Sequence, residues 1–335
     1  MSDTSNTNGF IPQRKFRTLW AGKRLVQVLW NYRFSRNSKV KYKPYRLWIE
    51  PTNKCNLACV MCPNKDFKKE DLGFMDFDLF KKIIDEARYF AYDMNIHHRG
   101  ESNLHPRLPE MIEYATKNGI PVKLHTNGTL LTERRSRELI ESGLALISFS
   151  FDGYTSDVYE KIRVNANFDK TTRNIVRFLD LKKEMKRATP KTVMEVMEDL
   201  EGFEFRNEDK QKFLEMMRDL DRLIVKKPHN WAGYVSIDTF ADEDLVACTF
   251  PWHAQVILWD GRVGPCPHDY MAEIILGDTK EKSLVEIFNN AETVELRQRH
   301  LDLNIRDYSP CNTCDTPRRK KIMGIPAPSL KYLKE

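Results

Sequence analysis

Residues 51–62 of the chain have the sequence PTNKCNLACVMC, and this stretch indicates both the fold and the chemistry. It supplies three thiols, Cys55, Cys59 and Cys62, with the spacing Cys-x3-Cys-x2-Cys. A [4Fe–4S] cluster contains four irons, so three thiolates leave one iron open to another ligand. Zinc sites usually take four ligands with a shorter first gap, and no histidine lies nearby in the sequence to complete one. We therefore interpret the stretch as an iron–sulfur loop rather than a zinc knuckle or a chance grouping.

The sequence around this loop predicts alternating strands and helices. Residues 45–50, directly before it, have the pattern of a strand, and residues 77–88 have apolar positions at helical spacing. Further strands are predicted at 94–98, 122–125, 145–151, 192–197 and 223–226, and further helices at 108–118, 133–142, 168–183 and 210–219. This alternation is typical of βαβ units and a parallel sheet. About six repeats suit either a partial barrel or an open doubly wound sheet.

After Tyr234 the alternation of strands and helices changes. Residues 254–263 predict a β-hairpin with an Asp260-Gly261 turn, and residues 284–298 predict a helix. Four more cysteines lie here, Cys248, Cys266, Cys311 and Cys314. We therefore expect an N-terminal extension at 1–44, a core at 45–240, a small α+β domain at 241–317 and a basic tail at 318–335.

Composition and charge set the broad class of the protein. The chain has 335 residues, 41% of them hydrophobic, with 54 Lys and Arg against 48 Asp and Glu. It has no apolar run of about 20 residues and no secretory signal, so we expect a soluble cytoplasmic protein with reduced thiols. Residues 4–49 contain eleven basic and no acidic residues. This segment is either a solvated face packed on the core, or a contact for an anionic membrane or an acidic partner. No nucleic-acid motif accompanies it, so we predict no nucleic-acid binding.

The cysteine loop resembles the signature of the radical S-adenosylmethionine (SAM) superfamily, and three further motifs follow in that family's order. They are Gly100-Glu101, Thr126-Asn127-Gly128 and Ser148-Phe149-Ser150-Phe151-Asp152-Gly153. The resemblance implies a partial (β/α)6 TIM-like barrel in which the open iron of a [4Fe–4S] cluster chelates SAM. Reductive cleavage of SAM in this family yields a 5′-deoxyadenosyl radical, which abstracts a hydrogen atom from the substrate.

The same resemblance implies which side chains bind SAM. Glu101 would receive the amino group and Arg163 the carboxylate, while Met61 would lie against the adenine, where many relatives have an aromatic residue. The implied set is Met61, Gly100, Glu101, Thr126, Asn127, Ser148, Ser150, Asp152 and Arg163. The glycine–glutamate motif departs from the family pattern, because Arg99 precedes it and Ser102 follows it in place of a glycine and a proline.

The second group of cysteines resembles the SPASM/twitch extension of radical SAM enzymes. Its spacing, Cys248-x17-Cys266 and Cys311-x2-Cys314, is similar to that of the aminocyclitol dehydrogenase of butirosin biosynthesis. The resemblance implies the short, twitch form, with one auxiliary [4Fe–4S] cluster. Four thiolates would close its coordination shell, so this cluster would carry electrons rather than bind the reacting group. A structural zinc site is the alternative for four thiolates.

These features predict oxidation of a secondary alcohol on a sugar- or aminocyclitol-type small molecule, with the auxiliary cluster as electron acceptor. A ferredoxin or flavodoxin would supply electrons, and the basic N-terminal segment is a possible docking surface for such an acidic carrier. Candidate base or substrate-contacting residues are His98, Arg99 and Glu195. The alternatives are modification of a peptide or protein, a redox-neutral sugar epimerisation, and a non-enzymatic iron–sulfur electron carrier. Epimerisation is less favoured because the two predicted clusters use all seven cysteines and leave no free thiol as hydrogen donor.

Overall fold

The computed structural model describes residues 23, 26–198, 200, 202–227, 229–235, 245–318, 321–322 and 325–326. Within these residues a nine-stranded sheet has the order β6-β5-β4-β3-β2-β1-β7-β8-β9, and Lys321–Ile322 pairs with Ile325–Pro326 in a separate two-stranded antiparallel sheet. Its strands are β1 (Arg46–Ile49), β2 (Asp93–Asn95), β3 (Val122–Thr126), β4 (Leu146–Ser150), β5 (Lys191–Met197), β6 (Arg222–Lys226), β7 (Ala254–Ile257), β8 (Arg262–Gly264) and β9 (Gly277–Asp278). Strands β1 to β6 pair in parallel in chain order, which confirms the predicted α/β class.

Within the described residues, helices lie between the parallel strands β1 to β6, and two further helices follow β9. They are α1 (Phe77–Ala87), α2 (Leu108–Lys117), α3 (Glu133–Glu141), α4 (Ser156–Ile162), α5 (Phe168–Glu184), α6 (Asn207–Met216), α7 (Leu284–Ile287) and α8 (Ala291–Leu301). Side chains of Asp76, Thr132, Thr155 and Asn167 accept backbone N–H bonds and so fix where α1, α3, α4 and α5 begin. Among the described residues no helix is long and apolar enough to cross a membrane.

Strand periodicity separates the helix-covered core from an inner cavity. On β4, Ile147 and Phe149 are fully buried in the main hydrophobic core, whereas Ser148 and Ser150 line the cavity. Strand β3 follows the same rule: Leu124 packs in the core, and the residues on either side of it face the cavity. The polar residues of these strands therefore form the inner wall of the barrel.

The C-terminal segment joins the same sheet, which the sequence did not predict. Strand β7 pairs in parallel with β1, and β7, β8 and β9 form antiparallel neighbours that include the predicted hairpin. The described part of the N-terminal extension packs beside it, since Val28, Tyr32 and Tyr42 share a hydrophobic cluster with Trp252. The predicted domain boundaries stay predictions, and residues 1–22, most of the tail and residues 236–244 lie outside the described residues.

Two helix predictions differ from the structure. The single helix predicted at 284–298 is two helices, because the side chain of Asn290 accepts the Thr293 N–H and begins α8 afresh. Helix α4 was not predicted; it is only seven residues long and begins at a Thr155 cap. In both cases a local capping side chain overrides the apolar periodicity used for the prediction.

A buried ion cluster ties the first three strands together. Arg46 on β1 donates two hydrogen bonds of 2.8 Å to Asp93 on β2, and Lys123 Nζ on β3 lies 2.9 Å from the same carboxylate. Burial alone would raise the pKa of Asp93, but the two cations outweigh it and hold this pKa below its ordinary value. The carboxylate therefore contributes stability that depends on its charge.

We predict that Asp93→Asn lowers the free energy of unfolding by about 3 kcal/mol, because it removes the buried carboxylate that pairs with the buried Arg46 and the partly buried Lys123. Urea unfolding measures this loss, with Glu113→Gln, which breaks an exposed pair with Lys117, as the control that changes little. The folded-state pKa of Asp93 is lowered, so its contribution is present above the unfolded pKa of about 3.9 and disappears as the pH falls below it. The difference in the free energy of unfolding between wild type and Asp93→Asn should therefore become smaller below about pH 4. A difference that becomes larger there would contradict the lowered pKa of Asp93.

Candidate functional site

The barrel encloses a cavity of about 500 Å³ on the inner face of strands β1 to β6. All residues that the sequence singled out for SAM, for the first cluster and for catalysis line it. They are Cys55, Cys59, Met61, Cys62, His98, Arg99, Gly100, Glu101, Thr126, Asn127, Ser148, Ser150, Asp152, Arg163 and Glu195. Residues more than 100 positions apart in the sequence therefore converge on one space.

The cysteine loop is held against the segment that follows β2. The backbone N–H of Glu101 donates to the carbonyl oxygen of Lys54 at 2.8 Å. The side-chain amide of Asn64 donates to Asn53 O at 2.8 Å and to Arg99 O at 2.6 Å. A Cβ on Gly100 would lie 2.4 Å from Lys54 O and 2.5 Å from Thr52 O, so only glycine fits here.

The thiols of this loop are largely buried. Burial raises the pKa of Cys55 to about 12 and that of Cys59 to about 11, although the Arg163 guanidinium, 3.9 Å from Cys59 Sγ, opposes the latter rise. Cys62 Sγ lies 3.3 Å from the hydroxyl of Tyr270, which comes from the C-terminal segment. Only the thiolate form of cysteine coordinates a metal, so a metal group bound here would displace the protons of these thiols.

Glu101 is a buried acceptor at the centre of the cavity wall. Its Oε1 accepts hydrogen bonds from the Asn103 N–H at 3.0 Å and the Thr126 hydroxyl at 2.8 Å, and its Oε2 accepts the Asn127 N–H at 2.7 Å. Burial raises the pKa of Glu101, and these donors oppose the rise. A cationic ligand group beside this carboxylate would stabilise its charged form further.

Arg163 offers a complementary cation. Its Nη2 lies 2.6 Å from Asp152 Oδ2, and Asp152 Oδ1 accepts the Met197 N–H at 2.7 Å. Although burial opposes the charged form, Asp152 raises the pKa of Arg163. The buried Nε of Arg163 has no hydrogen-bond partner within the described residues, and neither has the hydroxyl of Ser148. These unused polar atoms fit a cavity that receives a polar ligand such as SAM.

The far wall of the cavity carries a row of polar side chains on neighbouring strands. Lys226 Nζ lies 2.6 Å from Glu195 Oε2, and His125 Nδ1 lies 3.7 Å from the same oxygen. The rings of His97 and His125 have centroids 4.0 Å apart. Burial lowers the pKa of His125 to about 3 and that of His97 well below its ordinary value, so both rings are neutral. The pairing of Lys226 with Glu195 was not predicted, since β6 carried no motif.

The remaining two catalytic candidates, Arg99 and His98, differ in whether their side-chain nitrogens are already hydrogen-bonded. The guanidinium of Arg99 makes two hydrogen bonds to Glu50, at 2.7 and 2.9 Å, so it is fixed in a buried ion pair and is not placed to serve as a base. His98 is also buried, and burial lowers its pKa well below the ordinary value. Its Nε2 has no hydrogen-bond partner among the described residues. Of these two, only His98 has a free acceptor nitrogen.

The other four cysteines line a second, smaller cavity together with His300. Burial raises the pKa of Cys248 to about 12 and that of Cys314 to about 11. Burial also raises the pKa of Cys266, and the other three thiols, if ionised, would raise it further, so all four lie within electrostatic range. Within the described residues no three such ligands are close enough to share one metal ion. A four-iron cluster would take a single thiolate at each iron.

A short segment connects the two cysteine sites. Cys266 and His268 line the second cavity, and His268 also lines the first. Tyr270 follows two residues later and donates its hydroxyl proton to Arg99 O at 2.5 Å, beside Cys62 Sγ. Tyr270 was not predicted as a site residue, because no local sequence pattern signals a contact 208 positions away.

Comparison with known families and proteins gives a consistent result. Residues 49–217 match the radical SAM superfamily, and residues 248–315 match the SPASM iron-sulfur cluster-binding domain. The tungsten-containing aldehyde ferredoxin oxidoreductase cofactor-modifying protein of Pyrococcus furiosus is 27% identical over 316 residues, covering 80% of this chain and 88% of that protein.

Two solved structures have a similar fold. BtrN in complex with AdoMet and 2-DOIA has a TM-score of 0.58 and 19% identity, with 84% of this chain and 97% of that chain covered. Streptococcus suis SuiB bound to precursor peptide SuiA has a TM-score of 0.63 and 15% identity, with 94% and 77% covered. These likenesses confirm the predicted partial barrel with a C-terminal iron–sulfur domain.

We predict that Gly100→Ala removes the iron of the first cysteine loop, because the added Cβ displaces the backbone that carries Cys55. Iron per chain after anaerobic reconstitution should fall from about eight to about four atoms. Gly264→Ala is the matched control, since its nearest contact would be 3.8 Å away and the iron content should not change. Full iron content in Gly100→Ala, with an unchanged far-UV spectrum, would contradict the prediction.

Proposed function

The chain belongs to the radical SAM superfamily and carries a SPASM iron–sulfur domain, and from this premise we propose that it oxidises a secondary alcohol to a carbonyl on a sugar- or aminocyclitol-type small molecule. The observation that carries the proposal is the second, four-thiol site directly beside the SAM cavity. An oxidation needs an electron acceptor there, whereas a redox-neutral reaction does not. The likeness to BtrN, bound to AdoMet and 2-DOIA, supports the same reaction class.

In this proposal Cys55, Cys59 and Cys62 hold the SAM-binding [4Fe–4S] cluster. The auxiliary [4Fe–4S] cluster is held by Cys248, Cys266, Cys311 and Cys314. Both sets of buried thiols fit such groups, because burial makes an unliganded thiolate unfavourable there. When bound, SAM and its reduced cluster supply a 5′-deoxyadenosyl radical that removes a hydrogen atom, and the auxiliary cluster accepts one electron.

The cavity residues bind and orient SAM. The Glu101 carboxylate takes the SAM ammonium, and the unpartnered Nε of Arg163 takes the SAM carboxylate. Asp152 holds the Arg163 guanidinium in position for this contact. Thr126 and Asn127 fix the Glu101 carboxylate, and Met61 lines the adenine side. Gly100, Ser148 and Ser150 complete the implied set as cavity-lining residues.

Oxidation of an alcohol to a carbonyl removes two protons and two electrons. One proton and one electron leave together as a hydrogen atom. The second proton needs an acceptor in the protein, and the second electron would be taken up by a cluster held by Cys248, Cys266, Cys311 and Cys314. His98 suits the proton transfer, because its ring is neutral and its Nε2 is free within the described residues. Glu195, paired with Lys226, makes the far wall polar and suits a substrate rich in hydroxyl groups. Arg99 supports the site through Glu50 rather than by contact with substrate.

The second candidate function is modification of a peptide, supported by the likeness to SuiB bound to its precursor peptide. The relative from Pyrococcus furiosus, described as cofactor-modifying, supports a small-molecule substrate instead. Epimerisation is less well supported, since the chain has no cysteine beyond the two sets to act as hydrogen donor. A pure electron carrier is also less well supported, since the cavity is lined by the groups proposed to bind SAM. We further propose a ferredoxin or flavodoxin as electron donor and a cytoplasmic location; docking or membrane contact through the basic N-terminal segment stays a prediction.

We predict that the reconstituted wild type contains about eight iron atoms per chain and cleaves SAM to 5′-deoxyadenosine when dithionite supplies electrons. Cys59→Ala should abolish this cleavage, because it removes a ligand of the SAM-binding cluster. Cys311→Ala should retain cleavage and lose about four iron atoms. Metal analysis and chromatography of the products measure both outcomes.

Each alternative predicts a different result in these samples. About four iron atoms with one zinc in the wild type would make the second quartet structural and leave a redox-neutral reaction in place of the oxidation. Absence of 5′-deoxyadenosine from a fully loaded wild type would favour the electron carrier. Loss of cleavage in Cys311→Ala with retention in Cys59→Ala would reverse the roles of the two sites.

We also predict that Glu101→Gln weakens SAM binding about tenfold or more, because a charge-assisted hydrogen bond of about 1.5–3 kcal/mol is lost. Anaerobic equilibrium dialysis of SAM against the reconstituted protein measures the change. Glu198→Gln is the control: Glu198 bonds to Tyr154 and Lys210 and does not line the cavity, so its removal should leave SAM affinity unchanged. Equal affinities in Glu101→Gln and wild type would remove Glu101 from the SAM site.

A further inference from the structure

His300 lies in the last turn of helix α8 and is almost completely buried beside the second cysteine quartet. Its ring contacts two of the four cysteines. Nδ1 lies 3.3 Å from the backbone nitrogen of Cys248, and Nε2 lies 3.7 Å from Cys311 Sγ. No motif in the sequence pointed to this residue.

These two contacts fix the tautomer of the ring. The backbone N–H of Cys248 can only donate, so Nδ1 of His300 accepts and carries no proton. A neutral imidazole then carries its proton on Nε2. The Nε2–H group therefore lies against the sulfur of Cys311, at a distance suited to an N–H···S hydrogen bond.

The other cysteines of the quartet differ in where their donors come from. Cys248 receives hydrogen bonds from the backbone N–H groups of Phe250 and Thr249, and Cys314 receives them from Thr316. Within the described residues, the sulfur of Cys311 receives its hydrogen bond from the imidazole of His300. A single side-chain substitution can therefore remove a donor from one ligand sulfur and leave the backbone donors in place.

We propose that His300 donates an N–H···S hydrogen bond to the Cys311 thiolate of the auxiliary cluster and thereby makes that cluster easier to reduce. The added electron increases the negative charge on the ligand sulfurs, so a hydrogen-bond donor stabilises the reduced form more than the oxidised form. His300 is thus a positioning residue that tunes the electron acceptor. This inference rests on the proposed cysteine ligands and is independent of which substrate is oxidised.

The test is an EPR-monitored redox titration of the reconstituted full chain, in the Cys59→Ala background so that the auxiliary cluster is recorded alone. His300→Leu should shift its midpoint potential to a more negative value at unchanged auxiliary iron content. His300→Gln, whose amide can still donate to sulfur, should restore the potential at least in part. His105→Leu is the control, because His105 is equally buried but bonds to Met75 O and contacts no cysteine; it should leave the potential unchanged.

Three results would overturn the proposal. An unchanged midpoint potential in iron-loaded His300→Leu would show that the hydrogen bond does not affect the potential of the auxiliary cluster. Loss of auxiliary iron in both His300→Leu and His300→Gln would make the histidine a structural support. Absence of an auxiliary cluster from the Cys59→Ala protein itself would overturn the proposed ligand set and, with it, this inference. This result would be seen before any His300 variant is made.

Discussion

The site depends on the contact between the cysteine loop and Gly100. The carbonyl oxygens of Thr52 and Lys54 lie so close to this glycine that no side chain can stand there. The adjoining Glu101 N–H bonds to Lys54 O, so the loop after β1 and the loop after β2 form one unit. Three thiols and the Glu101 carboxylate, which we propose binds the SAM amino group, are thereby positioned together.

Buried ion pairs extend this rigidity into the sheet. Glu50, at the end of β1, holds Arg99 at the end of β2, and Asp93 at the start of β2 binds cations from β1 and β3. Ion pairs therefore join the first strands at both ends. Loss of one partner would destabilise the fold, because it would leave an unpaired charge in the interior. Arg163 is likewise paired with Asp152, but its Nε stays without a hydrogen-bond partner among the described residues, and in the proposed function this atom and Glu101 recognise the opposite charges of SAM.

The sequence allowed prediction of what is encoded locally. The loop at residues 51–62, the glycine–glutamate motif and the strand carrying Ser148 and Ser150 are short patterns whose geometry follows from neighbouring residues. Features that depend on distant partners were missed. Tyr270 meets Cys62 from 208 positions away, the ion pair of Arg99 with Glu50 joins the segments that follow two different strands, and His300 meets Cys311 only through folding. The split between α7 and α8 was missed for the opposite reason, since one capping residue outweighed a regular apolar pattern.

The pairing of β7 with β1 has a consequence for synthesis of the chain. One edge of β1 stays without its neighbour until residues 254–257 have left the ribosome, about 200 residues after β1 itself. An unpaired strand edge is a site of aggregation while the chain is incomplete. The sheet is therefore completed only late in translation, when residues 254–257 pair with β1.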